Sequence, residues 1–360
     1  MKWCRGWSVL ALGILPVLIV SCAGLGLPGA TPRPAPIAHP TGPDALVLRI
    51  DVTGGWLPPL FSVTWPPKLS VYGDGAVIQL GPQMTIYPPP ALPNVLRSQI
   101  TEAGLQRLLR EADAAGLLAG DADYPLPGVS DAPTTVFTVN AGNRTSRVTV
   151  YALGSDEGAD LSPLTPEQRV ARQRLASFYE TAINLLDWLP SEEVVERDQP
   201  YVVTRLQVMV VPPKVLAPPP NWIPGPAKPW PLPIPLSLFG DPAPWFSLEA
   251  RCGVVSSRKE LPRLLEELQT ANALTHWESE GRLYGLVVRP LLPDETGCSP
   301  PFQVKRTVRG GCPNISTANR SPACAGMARA SEPESTMSPG SSRTPNSPSL
   351  LASQATARAG

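Results

Sequence analysis

Proline falls in blocks along this chain, and the blocks restrict where regular structure can form. The chain carries 47 prolines in 360 residues, against a usual share of roughly 5%. Each one fixes φ and removes a backbone donor, so helix interiors and central strands are pushed into the intervals between clusters. One block occupies 23–44 (Pro28, Pro32, Pro34, Pro36, Pro40, Pro43) and a second spans 212–244. Charge adds an exclusion. Thirty Lys and Arg balance thirty Asp and Glu, so the basic excess that drives nucleic-acid binding is missing and no nucleic-acid partner is expected. With two His in the whole chain, a His-rich metal site or a His acid/base is a poor expectation.

The amino terminus carries the most specific signal. Lys2 and Arg5 precede an apolar run over 9–20, broken by Gly13 and Pro16. That run is shorter than the ~20 residues of a membrane span but suits the core of a secretory leader. It ends in Leu18-Ile19-Val20-Ser21-Cys22. These residues resemble the lipobox of bacterial lipoproteins, with aliphatic Ile19, small Ser21 and Cys22 at the family's positions. The resemblance covers the first 22 residues. It implies loss of the leader 1–21, a diacylglycerol thioether on Cys22 and acylation of the new amino terminus. Buried acyl chains hold at about 0.8 kcal/mol per CH₂. A plain secretory leader with a chance cysteine near its end is the alternative. The expected location is the extracytoplasmic side of the cell envelope, with the membrane reached through the lipid. Residues 22–44 then read as a proline-rich stalk in extended conformation, and His39 within it is a poor catalytic candidate.

Along the body, 46–52 reads as a strand. Residues 69–72 and 76–80 read as a hairpin around Gly73-Asp74-Gly75. Thr101 opens a helix with Leu105, Leu108, Leu109 and Ala112 on one stripe, stopped by Gly116. Strands follow at 134–140 and 146–153. Thr165-Pro166-Glu167-Gln168 is a capping box with proline at the first helical position, and the helix it opens runs to Pro190. A long strand is expected over 201–211, with Val202, Leu206, Val208 and Val210 on one face. A helix near 259–271 and a strand over 282–289 finish the pattern.

Three pairs of segments match in order: Arg49–Val52 with Arg205–Val208, Ser70–Ala76 with Ser237–Ala243, and Leu105–Ala112 with Leu261–Leu268. They suggest an internal duplication. The expected fold is therefore α+β, an antiparallel-rich sheet with about three packed helices, arranged as two duplicated strand-hairpin-helix-strand lobes sharing a sheet. The first unit is placed at 45–190 and the second at 200–298, with the proline-rich loop 212–244 inside it. From 299 to 360, Ser, Pro, Ala, Arg and Gly dominate and periodicity ends, which reads as a disordered tail or frameshifted sequence. Val287–Cys298 looks like a natural finish.

Cys252 and Cys298 bracket the last helix and strand, and an exported chain is in a disulfide-permissive compartment. A bridge between them would clamp the second unit. No C-x-x-C pair supports structural zinc, and no metal or cofactor is expected. Loop acids Asp121, Asp123 and Asp131, with Asp156, Glu157 and Asp160, lack the calcium-loop pattern and read as solvated carboxylates. Asp74 and Asp241 read as turn residues rather than a catalytic pair.

Tryptophans of the proline-rich loops, Trp222, Trp230 and Trp245 above all, form a candidate binding loop, since exposed Trp suits binding hot spots. Packing of those rings against proline is the alternative. His276, beside Trp277, reads as a surface or capping residue. No nucleophile, phosphate-loop or His-Glu-x-x-His motif is found, so no catalytic residue is assigned. The function expected is a lipid-anchored, non-enzymatic envelope module that binds or supports a protein or glycan partner; an extracytoplasmic hydrolase using carboxylates is the alternative. Two facing acids in a cleft, one with a raised pKa, would favour the hydrolase.

Overall fold

The computed structural model describes residues 35–298 apart from 56–64, 217, 221 and 248; all of these lie in one unit of the chain, Met1–Gln303. The first half contains β1 (Leu46–Gly54), β2 (Leu69–Tyr72), β3 (Ala76–Leu80), β4 (Val95–Ile100) and α1 (Glu102–Ala114). It continues with β5 (Ala122–Tyr124), β6 (Pro133–Ala141), β7 (Arg144–Tyr151), α2 (Pro166–Ile183), α3 (Leu185–Trp188) and β8 (Val194–Pro200). The second half contains β9 (Leu206–Val211), β10 (Lys228–Pro229), β11 (Asp241–Pro242), β12 (Arg251–Val255), α4 (Glu260–Gln269), β13 (His276–Ser279) and β14 (Arg282–Pro290).

This is an α+β fold with two antiparallel-rich sheets. The eight-stranded sheet has the order β5-β7-β6-β1-β2-β3-β4-β8, and the six-stranded sheet the order β10-β13-β14-β9-β12-β11. Among the described residues, only the β5–β7 and β10–β13 pairs are parallel. The expectation of one shared sheet is corrected: each half builds its own.

Local chemistry explains the elements that form. Gly75 turns the β2–β3 hairpin at φ +84, and any Cβ there would collide with the Ile100 carbonyl. Gly142 and Asn143 join β6 to β7, both at positive φ, as a tight hairpin turn requires. Thr101 Oγ accepts from the Gly104 amide at 3.2 Å. Thr165 and Gln168 form the reciprocal capping box, and α2 breaks at Asn184 before α3.

α1 and α2 cover one face of the first sheet. Leu105, Leu108, Leu109, Leu175, Phe178 and Ala182 pack on Leu48, Ile50, Phe137 and Val148, with the Phe137 and Phe178 rings edge to face at 5.9 Å. In the second sheet α4 buries Leu261, Leu264 and Leu268 against Leu206, Val208, Val210 and Val288. The opposite face, Met209, Val211 and Val287, is covered by Trp222, Trp245 and Phe246. The expected strand over 201–211 is therefore shorter. All six β9 residues are buried because the strand is central and covered on both faces, whereas 201–205 is a connector whose Val202 is 76% exposed. His276 lies in β13, paired with Gly285, and its neighbour Trp277 is 1% exposed.

The matched segments only partly occupy like places. Arg49–Val52 lies in β1, and Leu206 to Val208 opens β9; each of these strands has antiparallel neighbours on both sides. The two Gly-Asp heptads differ. Pro242 stands where the first heptad has Gly75, and a proline cannot take the positive φ of that turn. Asp241 and Pro242 instead form the edge strand β11.

Candidate functional site

Alternation along β1 sends Leu48 and Ile50 toward the helices and Arg49 and Asp51 to the other face. Arg49 sits opposite Ser70 in register and donates through Nε to Ser70 Oγ at 3.1 Å. Its Nη2 donates to Asp294 Oδ1 at 2.8 Å, and the Tyr72 hydroxyl donates to the same oxygen at 2.7 Å. Asp294 belongs to the segment that leaves β14, which crosses onto the first sheet and buries Leu292 against Tyr72, Ile78 and Val95.

The crossing segment is held from both sides. Arg289 bonds the Glu295 carboxylate, whose second oxygen accepts from the Leu292 amide at 2.9 Å. Arg205 Nη2 donates to the carbonyls of Leu292 at 3.0 Å and Pro293 at 2.9 Å. The Tyr201 hydroxyl donates to the Leu291 carbonyl at 2.9 Å. We refer to 291–295 as the clasp. Just beyond it, Cys298 is joined to Cys252 at an S–S distance of 2.17 Å and a Cα separation of 5.5 Å. The Cys298 amide donates to Gln207 Oε1 of β9 at 2.8 Å.

The electrostatics follow from burial and pairing. Burial alone would lower the Arg49 pKa, but Asp294 and Glu295 outweigh it and the net shift is upward. Burial raises the Tyr72 phenol, and the Asp294 charge adds to the rise. The Asp51 carboxyl is raised chiefly by burial, with Arg49 pulling the other way. Asp294 and Glu295 are thus committed acceptors of charge-assisted bonds. With Arg49 and Arg289 they form an ion-pair lock on the crossing segment.

Beside the clasp, a cleft of about 620 Å³ opens between Arg97 of β4, the connector residues Tyr201, Val202, Thr204 and Arg205, and Pro293. No acid lines it. Smaller hollows lie beside His39 and Asn140 (about 360 Å³) and beside Val195 of β8 (about 260 Å³).

The structure disperses most of the residues singled out in the sequence. Trp222, Trp230 and Trp245 are half-buried. Trp230 stacks edge to face on Phe239 and Trp277 and donates to the Ile234 carbonyl at 2.8 Å, so the expected binding loop largely packs on its own sheet. Asp156 pairs with Arg172, which is 1% exposed and also bonds the carbonyls of Tyr124, Tyr151 and Ala152. Asp121 and Asp160 accept from backbone amides. Asp74 accepts from the Ala76 amide in its turn, far along the chain from edge residue Asp241. Among the described residues, no group of three or more His, Cys, Asp or Glu could hold a metal ion.

The expectation of a stalk over 22–44 is corrected at its described end, where Ile37 and His39 bond to α1. Ile37 exchanges two hydrogen bonds with the Gln106 side chain at 2.8 Å each, and His39 reaches Glu102 at 3.0 Å. Cys22 and the tail 299–360 lie outside the described residues. Among the described residues, no helix is long and apolar enough to cross a membrane.

Sequence reasoning missed Arg97, Tyr201, Asp294 and Glu295. A usable signal existed: Arg49 and Arg205 were matched to each other, and both reach the clasp. Comparison with protein families, with curated proteins and with solved structures finds no match to this chain.

Proposed function

We propose that this chain is a lipid-anchored extracytoplasmic envelope protein that works as a non-enzymatic binding module, with the cleft beside the clasp as its ligand site. The observation that carries the anchor is the run of charged start, apolar core and Leu18-Ile19-Val20-Ser21-Cys22. The Cys252–Cys298 bridge supports it, since such bonds persist in oxidising compartments. Binding is favoured over carboxylate hydrolysis because Asp294 and Glu295 are taken up by Arg49, Tyr72 and Arg289.

Fractionation of expressing bacteria tests the reading. The wild-type chain is expected with the membranes, labelled by fatty acid, and Cys22→Ser is expected unlabelled with its leader retained. Equal labelling of both, or wild-type protein released without lipid, contradicts the anchor.

A further inference from the structure

We propose that the cleft beside the clasp takes a small organic oxyanion, a carboxylate or phosphate ester carried on an apolar body. The proposal rests on the binding reading above and names its ligand class. Two guanidinium groups line the cleft, from Arg97 and Arg205, and no carboxylate does. Arg205 is fixed in place by the Leu292 and Pro293 carbonyls. Neutral carbonyls orient a guanidinium without cancelling its charge, so Arg205 is held ready for an oxyanion at little further cost in side-chain order.

Arg97 shares its donors with Gln99 at 2.7 Å and Glu196 at 3.3 Å. Arg49 and Arg289 pair the acids next to Pro293; the Tyr201 phenol inside the cleft is raised by burial first and then by Glu295, with Arg205 pulling the other way. The exposed Thr204 hydroxyl adds a donor, and Val202 with Pro293 supplies an apolar wall. The hollow of about 620 Å³ is open to solvent rather than enclosed, and it lies at a junction between packed sheets, where small-molecule sites are favoured.

Titration of the purified folded chain tests this, with phenyl phosphate, benzoate, inorganic phosphate and neutral benzyl alcohol as probes. Phenyl phosphate or benzoate is expected to saturate one site with a dissociation constant of about 1 mM or tighter. Benzyl alcohol and inorganic phosphate are each expected to bind about 10-fold more weakly, since each lacks one half of the recognised pair. Arg205→Gln should weaken the anion about 10-fold, but it also loosens the clasp.

Val202→Asp and Val202→Lys avoid that ambiguity, since Val202 is 76% exposed. They should weaken and strengthen anion binding respectively, with melting unchanged. Absence of saturation by either aromatic anion, equal binding of benzyl alcohol, or affinity unmoved by Val202→Asp would overturn the proposal. A photocrosslinker at position 202 separates the two readings. Capture of a discrete envelope component in cells, with the anion probes silent, would remove the oxyanion and leave the binding module standing. Silence in both would remove both.

Discussion

The eight-stranded sheet lies under two helices of 13 and 18 residues and shares one continuous apolar core with them. The six-stranded sheet has one helix of 10 residues, and its far face is closed by a loop rich in proline and tryptophan and by the Cys252–Cys298 bridge. The contrast shows two routes to a covered sheet. A long amphipathic helix brings its own hydrogen bonds, so it buries apolar side chains without leaving backbone groups unmet. A proline-rich loop has fewer donors to satisfy and makes its cover from rings, and a covalent link then limits how far its end can stray. The clasp is where the two constructions meet.

The sharpest way to break the contrast is to damage the first sheet through a polar residue. Arg172 is a fully buried residue of α2, with Asp156 and three carbonyls on its guanidinium. Arg172→Leu is expected to cost about 3–5 kcal/mol in denaturant unfolding, because the acid and carbonyls lose their donor. A cost under about 1 kcal/mol would mean that the helical core alone holds this sheet.

The second sheet is probed by Cys252→Ala with Cys298→Ala. The bridge spans a sequence separation of 46, and its loss should cost about 3–4 kcal/mol in the chain-entropy model. Hydrogen exchange should speed up in β9, β12 and β14 and change little in β1, β6 and β7. Uniform acceleration would show that the sheets do not differ in what they depend on.

At their junction, a double-mutant cycle on Arg49→Gln and Asp294→Asn should return a coupling of about 2 kcal/mol, as for a partly buried charge-assisted bond. A coupling near zero would leave the clasp held by Leu292 and the disulfide alone.

The smallest effect concerns pH. Burial raises the Asp51 carboxyl above its unfolded value, so folding favours its protonated form. The charged form therefore subtracts stability once pH rises above the unfolded pKa, and the full loss is felt above the folded one. Asp51→Asn should accordingly stabilise the chain at pH 7, and the gain should vanish as pH falls through the carboxylate range. A gain that grew on acidification would reverse the assignment.

Elements with their own local chemistry were legible in the sequence. Gly75 and the Gly142-Asn143 pair mark turns that need positive φ, and Thr165 with Gln168 marks a helix start. Edge strands were not. β8 runs through Glu196, Arg197 and Asp198 with nearly every residue exposed, because an edge guarded by charge has no apolar alternation to read. The cleft was hidden for another reason. Arg97, Arg205 and Pro293 share no spacing, and only sheet register and the returning clasp bring them together. Arg49 and Asp294 stand 245 residues apart. Tryptophan is ambiguous in a sequence for the same reason: its size suits a binding surface and also the cover of a sheet, and Trp222 and Trp245 cover one while staying half-buried.

The anchor remains the claim on which location and role depend, and intact mass analysis of the mature amino-terminal peptide tests it most directly. The account predicts a chain that begins at Cys22 and carries a diacylglyceryl thioether on that sulfur. A bare Cys22 thiol, or a mature chain beginning at any other residue, would contradict it.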